Sequence, residues 1–182
     1  NALLQTILSR CVTLKLNAVD KEPIKKILMS KYQIPDYQAE LSTVFAQGNV
    51  GKAIQYASSD EFAEMKEDVL HLLKYIDEME LYEIIDSLKK ISEQKGRIYD
   101  YLDLIILWYR DVLMFKVTMD PNLLIYKSEV ANISKQASIR SYEGLEKIIA
   151  AIEKAKVRLN ANVNFDIVIE LMLFTIKENG ND

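Results

Sequence analysis

The 182-residue sequence is poor in the residues that break helices or cross-link chains: it has five glycines, three prolines and one cysteine. Because Cys11 is the only cysteine, neither an intramolecular disulfide nor a cysteine-rich zinc site can form. The scarcity of helix breakers, combined with 49% hydrophobic residues, predicts an all-α protein. The length is sufficient for one ordinary domain or two small ones.

The sequence also lacks an excess of positive charge and a long apolar run. Its net charge of −4 argues against a dedicated nucleic-acid-binding module, because phosphate contacts make such modules basic, although a local basic patch stays possible. The longest apolar run, Leu104 to Tyr109, is too short to cross a bilayer, and no signal peptide is recognised. We therefore expect no membrane contact.

Three short helices are predicted in the first third of the chain. Asp20, Asp36 and Asn49 each precede a periodic apolar segment and are the predicted N-caps. Gly48 is predicted to end the second helix, because glycine accepts the left-handed backbone conformation that follows many helices. Three helices in about forty residues predict a small bundle, with a domain boundary near Ala57–Asp60.

Longer helices are predicted from about residue 59. The helix from about Ile98 to Thr118 is apolar on two sides, and the last helix, capped by Asn164, is apolar almost all round. Such a last helix is either the centre of a bundle or has one side that contacts another chain. Two clear stripes precede these helices, formed by Phe62, Met65, Val69, Leu72, Leu73 and Ile76, and by Leu81, Ile84, Ile85, Leu88 and Ile91.

The few features that could suggest chemistry have simpler explanations. His71, the only histidine, lies off the apolar stripe of its helix and has no evident base or metal partner. The segment 48–52 lacks the spacing and the hydroxyl of a phosphate-binding loop. Four acidic residues cluster around the start of the next helix: Asp77, Glu78, Glu80 and Glu83. They could form a metal site, but a solvated helix terminus is the simpler interpretation, because acidic residues there complement the helix dipole.

Four segments in order carry a resemblance to a known family. Residues 3–11 read Leu-Leu-Gln-Thr-Ile-Leu-Ser-Arg-Cys, and 108–113 read Trp-Tyr-Arg-Asp-Val-Leu. Residues 162–165 read Asn-Val-Asn-Phe, and 170–173 read Glu-Leu-Met-Leu. This series resembles the bacterial DNA polymerase III clamp-loader subunits of the AAA+ family, and within them the delta-prime type. The resemblance covers nearly the whole chain.

The resemblance implies a division into three parts. Residues 1–16 would be the end of an AAA+ ATPase domain, most of which would lie outside this chain, and Cys11 to Leu16 alternate as expected for one short strand. Residues 17–58 would form a three-helix lid over the ATP site. Residues 59–182 would form the helical collar domain, through which such subunits assemble.

The resemblance also implies which residues act on ATP. Arg10 stands at the position of an arginine finger, which reaches into the ATP site of a neighbouring subunit; a guanidinium suits this role because it forks onto phosphate oxygens. ATP-binding members have Gly-Ser-x-Arg where this chain has residues 48–51, so Gly51 replaces the second sensor arginine, although the adjacent Lys52 could still reach a phosphate. We therefore expect no cofactor or metal on this chain.

An interface is expected on the second part of the chain. The Ile98–Thr118 helix and the last helix carry more apolar surface than a small monomer hides. The candidate interface residues are Trp108, Arg110, Phe165, Leu171 and Phe174.

Arg110 is also expected to be a buried structural residue. Asp111, Asp103 and Glu170 are its possible partners, because a guanidinium can bridge carboxylates inside a bundle. On this interpretation Arg110→Ala would leave a buried charge unpaired, at a cost of roughly 3–5 kcal/mol.

The function implied by the resemblance is that of a delta-prime subunit, a comparatively rigid stator in a five-subunit ring. Its expected partners are gamma/tau and delta subunits through the collar, with the sliding clamp and primed DNA contacted through the whole complex, in the bacterial cytoplasm at the nucleoid-associated replisome. No enzyme activity is expected of this chain alone, although the parent belongs to a DNA polymerase holoenzyme. The alternatives are a gamma/tau subunit or a helical adaptor without a role in replication; a helical-bundle enzyme lacks a candidate site.

Overall fold

The computed structural model describes Arg10 and residues 17–180 of the chain. These residues contain nine α-helices and no strand, so the fold is all-α, as the composition predicts. The strand expected between Cys11 and Leu16, and the rest of the segment 3–11 that carries the first resemblance, lie outside the described residues. None of the helices between residues 17 and 180 combines the length and the apolar character needed to cross a membrane.

The chain divides into two compact units, one ending at Ser58 and the other beginning at Ser59. The roles of lid and collar for the two units stay predictions.

The first unit contains three helices that pack against one another. They are α1 (Lys21–Tyr32), α2 (Asp36–Ala46) and α3 (Val50–Ser58). Their shared core is apolar and consists mainly of Ile24, Leu28, Ala39, Leu41, Phe45, Ala53 and Tyr56.

The helix ends of this unit follow the predicted signals with one correction. The Asn49 side chain accepts a hydrogen bond from the Lys52 backbone N–H at 3.0 Å and so caps α3, as predicted. Gly48 has the predicted positive φ, 86°. Asp36 is not an N-cap, because the extended backbone of Pro35 occupies that position and the helix begins at Asp36 itself.

The described part of the second unit contains six helices: α4 (Asp60–Tyr75), α5 (Leu81–Glu93), α6 (Ile98–Thr118), α7 (Val130–Ile139), α8 (Tyr142–Asn160) and α9 (Phe165–Glu178). They are arranged around α6, which packs against α4, α7 and α8. The last helix, α9, packs against α8 and α5 and is therefore not the centre of the bundle.

Side-chain caps set the starts of three helices in this unit. Ser59 accepts a hydrogen bond from the Phe62 N–H at 3.1 Å, and Ser141 accepts one from the Gly144 N–H at 2.9 Å. Asn164 begins α9 as predicted, by accepting from the Ile167 N–H at 3.1 Å. These bonds satisfy N–H groups that have no partner within their own helices.

Candidate assembly interface

Trp108 is a core residue rather than an interface residue, which corrects the expectation from the sequence. Its side chain is wholly buried in α6. The indole N–H donates to the Gln136 side-chain oxygen at 2.9 Å, and the Gln136 amide donates to the Leu73 carbonyl at 2.6 Å. Because buried polar groups need partners, this chain of hydrogen bonds specifies how α6 and α7 pack.

The expectation of a buried Arg110 is wrong, because the buried residue is its neighbour and ion-pair partner, Asp111. The Arg110 side chain is 40% exposed, whereas that of Asp111 is 0% exposed. Arg110 pairs with Asp111 at 2.7 Å, so one of the three expected partners is the observed one. A long arginine side chain can carry its charge to the surface while its stem covers apolar groups.

Asp111 holds the irregular segment after α6 in place. One of its carboxylate oxygens accepts backbone N–H groups of Ile125 at 2.7 Å and Tyr126 at 2.8 Å. Burial raises the pKa of this carboxyl, although the two N–H donors and the Arg110 guanidinium favour its charged form.

Arg140 is the buried arginine of this unit, and sequence reasoning did not identify it. Its guanidinium donates to the Asp77 carboxylate, to the Asn179 carbonyl at 2.8 Å and to the Ile176 carbonyl at 3.2 Å. It therefore joins the end of α7 to the α4–α5 turn and to the end of α9. The helical spacing of the sequence could have indicated this burial, because Arg140 follows Ile133 and Ala137 at intervals of four and three, on the buried side of α7.

The acidic residues before α5 have structural partners. Glu78 pairs with Lys135 at 2.8 Å, while Glu80 and Glu83 form a reciprocal capping box at the start of α5. Asp77 is largely buried against Arg140, so it departs from the solvated terminus expected for the cluster. Within residues 17–180, no three histidine, cysteine or acidic side chains are grouped so as to hold a metal ion.

His71 is exposed, as predicted, and its ring lies 5.0 Å from that of Tyr75. The cavity beside it, which Asp68, Ser87 and Tyr101 help to line, has a volume of about 40 Å³. A space of this size holds about one water molecule rather than a substrate.

The exposed side of α9 carries an apolar ridge. Ile167 and Leu171 are 54% and 49% exposed, and Phe174 is half-buried beside them. These three residues lie at spacings of four and three, so they share one side of the helix. The ridge leaves this side of α9 exposed among the described residues, and its contact with another chain stays a prediction. Phe165, at the start of α9, is half-buried and lies under the Lys95 ammonium at 4.6 Å.

A groove of about 400 Å³ runs beside this ridge, between α8 and α9. We call it the α8–α9 groove. Its α9 side includes Leu171 and Met172, and its α8 side includes Ala150, Ala151 and Ala155. The remaining lining residues are Lys147, Lys154, Arg158, Val168 and Thr175.

A second apolar surface lies on α5. Leu81, Tyr82 and Ile85 are 57%, 65% and 41% exposed. The stripe predicted for this helix is therefore only partly covered, since Ile84 and Ile91 are the residues that reach the core. The α5 surface and the α8–α9 groove lie on different helices, and α9 packs against both α5 and α8.

Arg10 and Gly51 are the two residues that the resemblance connects with ATP. Arg10 is exposed in a turn. Gly51 lies in the first turn of α3 and is exposed; among the described residues, a Cβ atom added here would meet the Asn49 side-chain oxygen at 3.4 Å, an ordinary contact. A close contact with a Cβ atom therefore does not explain the glycine.

Comparison with known proteins supports the resemblance drawn from the sequence. No protein-family model matches the chain. The chain is 28% identical over 179 residues to "DNA polymerase III subunit delta'" of Bacillus subtilis (strain 168), a match that includes 97% of this chain. It spans about half, 54%, of the length of that relative. Along nearly all of its length, this chain is therefore similar to a DNA polymerase III delta-prime subunit.

Proposed function

We propose that this chain is part of a delta-prime-type subunit of a bacterial clamp loader, which acts in DNA replication in the cytoplasm at the nucleoid-associated replisome. The similarity to the Bacillus subtilis subunit, over 97% of the chain, carries this proposal. The second unit acts as a collar that joins gamma/tau and delta subunits into a ring. The ring places the sliding clamp on primed DNA.

The surface of the second unit supports a place within a ring. A subunit inside a ring has two neighbours and needs two different contact surfaces. The α5 surface and the α8–α9 face, with the Ile167, Leu171 and Phe174 ridge, are exposed apolar surfaces on different helices. Scattered exposed apolar residues are ordinary, whereas contiguous ones mark contact sites.

Arg10 and Gly51 support a subunit that assists ATP hydrolysis rather than performing it. Arg10 supplies positive charge to the ATP site of a neighbour, and the first unit, residues 17–58, is the lid of this subunit's own nucleotide-binding domain. Gly51 offers no side chain to a phosphate.

In an assembled ring, Arg10→Ala is expected to leave assembly unchanged and to lower ATP turnover at the neighbouring site by about 10³-fold or more.

Light-scattering mass after gel filtration tests the proposed function. The chain is measured alone and then mixed with gamma/tau and delta subunits of its own organism. A mixed species with the summed mass of the components supports the proposal. Folded chain that elutes unmixed at every concentration contradicts collar assembly and favours a helical adaptor without a role in replication.

A further inference from the structure

The α8–α9 groove has the shape and chemistry of a site for a helix. Its floor contains Ala150 and Ala151 on one side and Leu171 on the other. Small residues allow a second helix axis to approach closely, and an amphipathic helix in an apolar groove is a common mode of recognition. The exposed ridge of α9 extends this apolar surface beyond the groove.

The rim of the groove is positively charged, although the chain as a whole carries a net charge of −4. Lys147, Lys154 and Arg158 lie at spacings of seven and four along α8, so they form one row. The lining of the groove includes no acidic side chain. Lys147 pairs with Glu143 at 3.0 Å, whereas Lys154 and Arg158 make no ion pair with another described residue.

The apolar floor and the positive rim of the groove together favour a protein partner over nucleic acid. A phosphate backbone needs positive charge and polar donors, but it gains little from a floor of alanine, leucine and methionine. A helix with apolar residues on one side and acidic residues beside them complements both the floor and the rim.

We infer that the α8–α9 groove binds an amphipathic helix of a neighbouring ring subunit, with the acidic residues of that helix facing Lys154 and Arg158. The inference rests on the proposed function, because the partner is a subunit of the same ring. It goes further by naming the surface, the secondary structure of the partner segment and the sign of its charge.

Charge reversal tests this inference. Lys154→Glu/Arg158→Glu replaces two positive charges on the rim with two negative ones, which changes the net charge by four units. The dissociation constant of the complex with gamma/tau and delta subunits is expected to rise at least tenfold and to lose most of its salt dependence. The matched control, Lys21→Glu/Lys31→Glu, changes the net charge equally on the exposed part of α1 and is expected to bind like wild type. Far-ultraviolet circular dichroism of both variants verifies their folding.

The outcomes separate this inference from the proposed function. Failure of the wild-type chain to bind any ring subunit contradicts the proposed function. If wild type binds the ring subunits and the rim variant binds them as tightly as the control variant does, the result contradicts the helix site but not the proposed function. Binding of duplex DNA by wild type that the rim variant loses, without any change in subunit binding, assigns the rim to nucleic acid and also contradicts it.

Carbodiimide cross-linking of the wild-type complex supplies a direct readout. This reagent joins a lysine amine to a carboxylate that it contacts. Mass spectrometry of the cross-linked peptides is expected to link Lys154 to an aspartate or glutamate in a helical segment of the partner. Links from other lysines to the partner with none from Lys154 would overturn the inference.

Discussion

At the scale of single residues, two buried charges organise the second unit. Arg140 is wholly buried against Asp77 and two carbonyls, and Asp111 is wholly buried against two backbone N–H groups and Arg110. Both connect irregular segments to helices. A buried charge that is paired and hydrogen-bonded can hold such segments, whereas a buried charge that has lost its ion-pair partner is very costly.

Arg140→Ala is expected to lower the free energy of unfolding of the second unit by about 3–5 kcal/mol. The variant leaves the Asp77 carboxylate and the Ile176 and Asn179 carbonyls without their donor. Urea denaturation followed by circular dichroism measures this loss. As a control, Lys89→Ala removes one exposed ion pair, with Asp86, and is expected to change stability by less than about 0.5 kcal/mol.

The Arg110–Asp111 pair is expected to respond unequally to mutation. Asp111→Ala leaves the buried Tyr126 N–H and the partly buried Ile125 N–H without an acceptor, while Arg110→Ala leaves a carboxylate that keeps those two donors. Asp111→Ala should therefore destabilise the unit by about 3 kcal/mol or more, and Arg110→Ala by clearly less. Equal losses in denaturant titrations, or a larger loss for Arg110→Ala, would restore the sequence-based view of Arg110 as the buried partner.

The pH dependence of stability has a defined sign at Asp111. Because burial raises the pKa of its carboxyl, the folded chain binds this proton more tightly than the unfolded chain does. This contribution to stability is complete below the unfolded pKa of about 4, and it is lost as the pH rises through the folded pKa. The free energy of unfolding of wild type relative to Asp111→Asn should therefore fall as the pH rises from about 4. A rise in this difference over the same range would contradict the direction of the pKa shift.

At the scale of elements, the sequence predicts most helices because their starts and stripes are local signals. The predicted stripe on α4, for example, is buried in full, since a period of 3.6 residues needs no knowledge of the neighbouring helices. The stripe on α5 could not be judged in the same way. Whether Leu81 and Ile85 are covered depends on which helix packs there, and the helical period does not contain that information.

The turn between α2 and α3 offers a direct test of the backbone argument. A Cβ atom at Gly48 would lie 2.5 Å from the Ala18 Cβ, and its φ of 86° disfavours any other residue. Gly48→Ala is expected to destabilise the first unit by at least about 1–2 kcal/mol.

Gly51→Ala is the matched control in the same unit. Residue 51 lies in α3, where an added Cβ atom makes only an ordinary contact with the Asn49 side-chain oxygen, so alanine is expected to be neutral or to stabilise by up to about 1 kcal/mol. Thermal unfolding of the two variants measures both effects. A Gly48→Ala protein as stable as wild type would show that this turn does not need a left-handed glycine.

At the scale of the whole molecule, the second unit has two exposed apolar surfaces with different surroundings. The α8–α9 groove has a positive rim, while exposed Glu80 and the exposed Asp86–Lys89 ion pair accompany the apolar residues of α5. Different surfaces on one subunit suit head-to-tail contacts, which generate rings when the rotation between subunits closes.

The sequence predicted part of the proposed interface, and the rest could not be predicted from it for a physical reason. Leu171 and Phe174 were predicted because α9 has more apolar residues than one neighbour can cover. Trp108 was assigned to the interface because apolar character alone does not separate a core residue from an exposed one. Lys154 and Arg158 were not predicted at all, since their position beside an apolar floor exists only once α8 and α9 pack together.

The most direct test of the account is the affinity of a Leu171→Asp variant for the gamma/tau and delta subunits. Leu171 is 49% exposed on the proposed face, and Leu123, which is 47% exposed after α6, supplies a matched control. In analytical ultracentrifugation, Leu171→Asp should raise the dissociation constant by about 10- to 30-fold, whereas Leu123→Asp should bind like wild type. Equal affinities for the two folded variants would contradict assembly through the α8–α9 face.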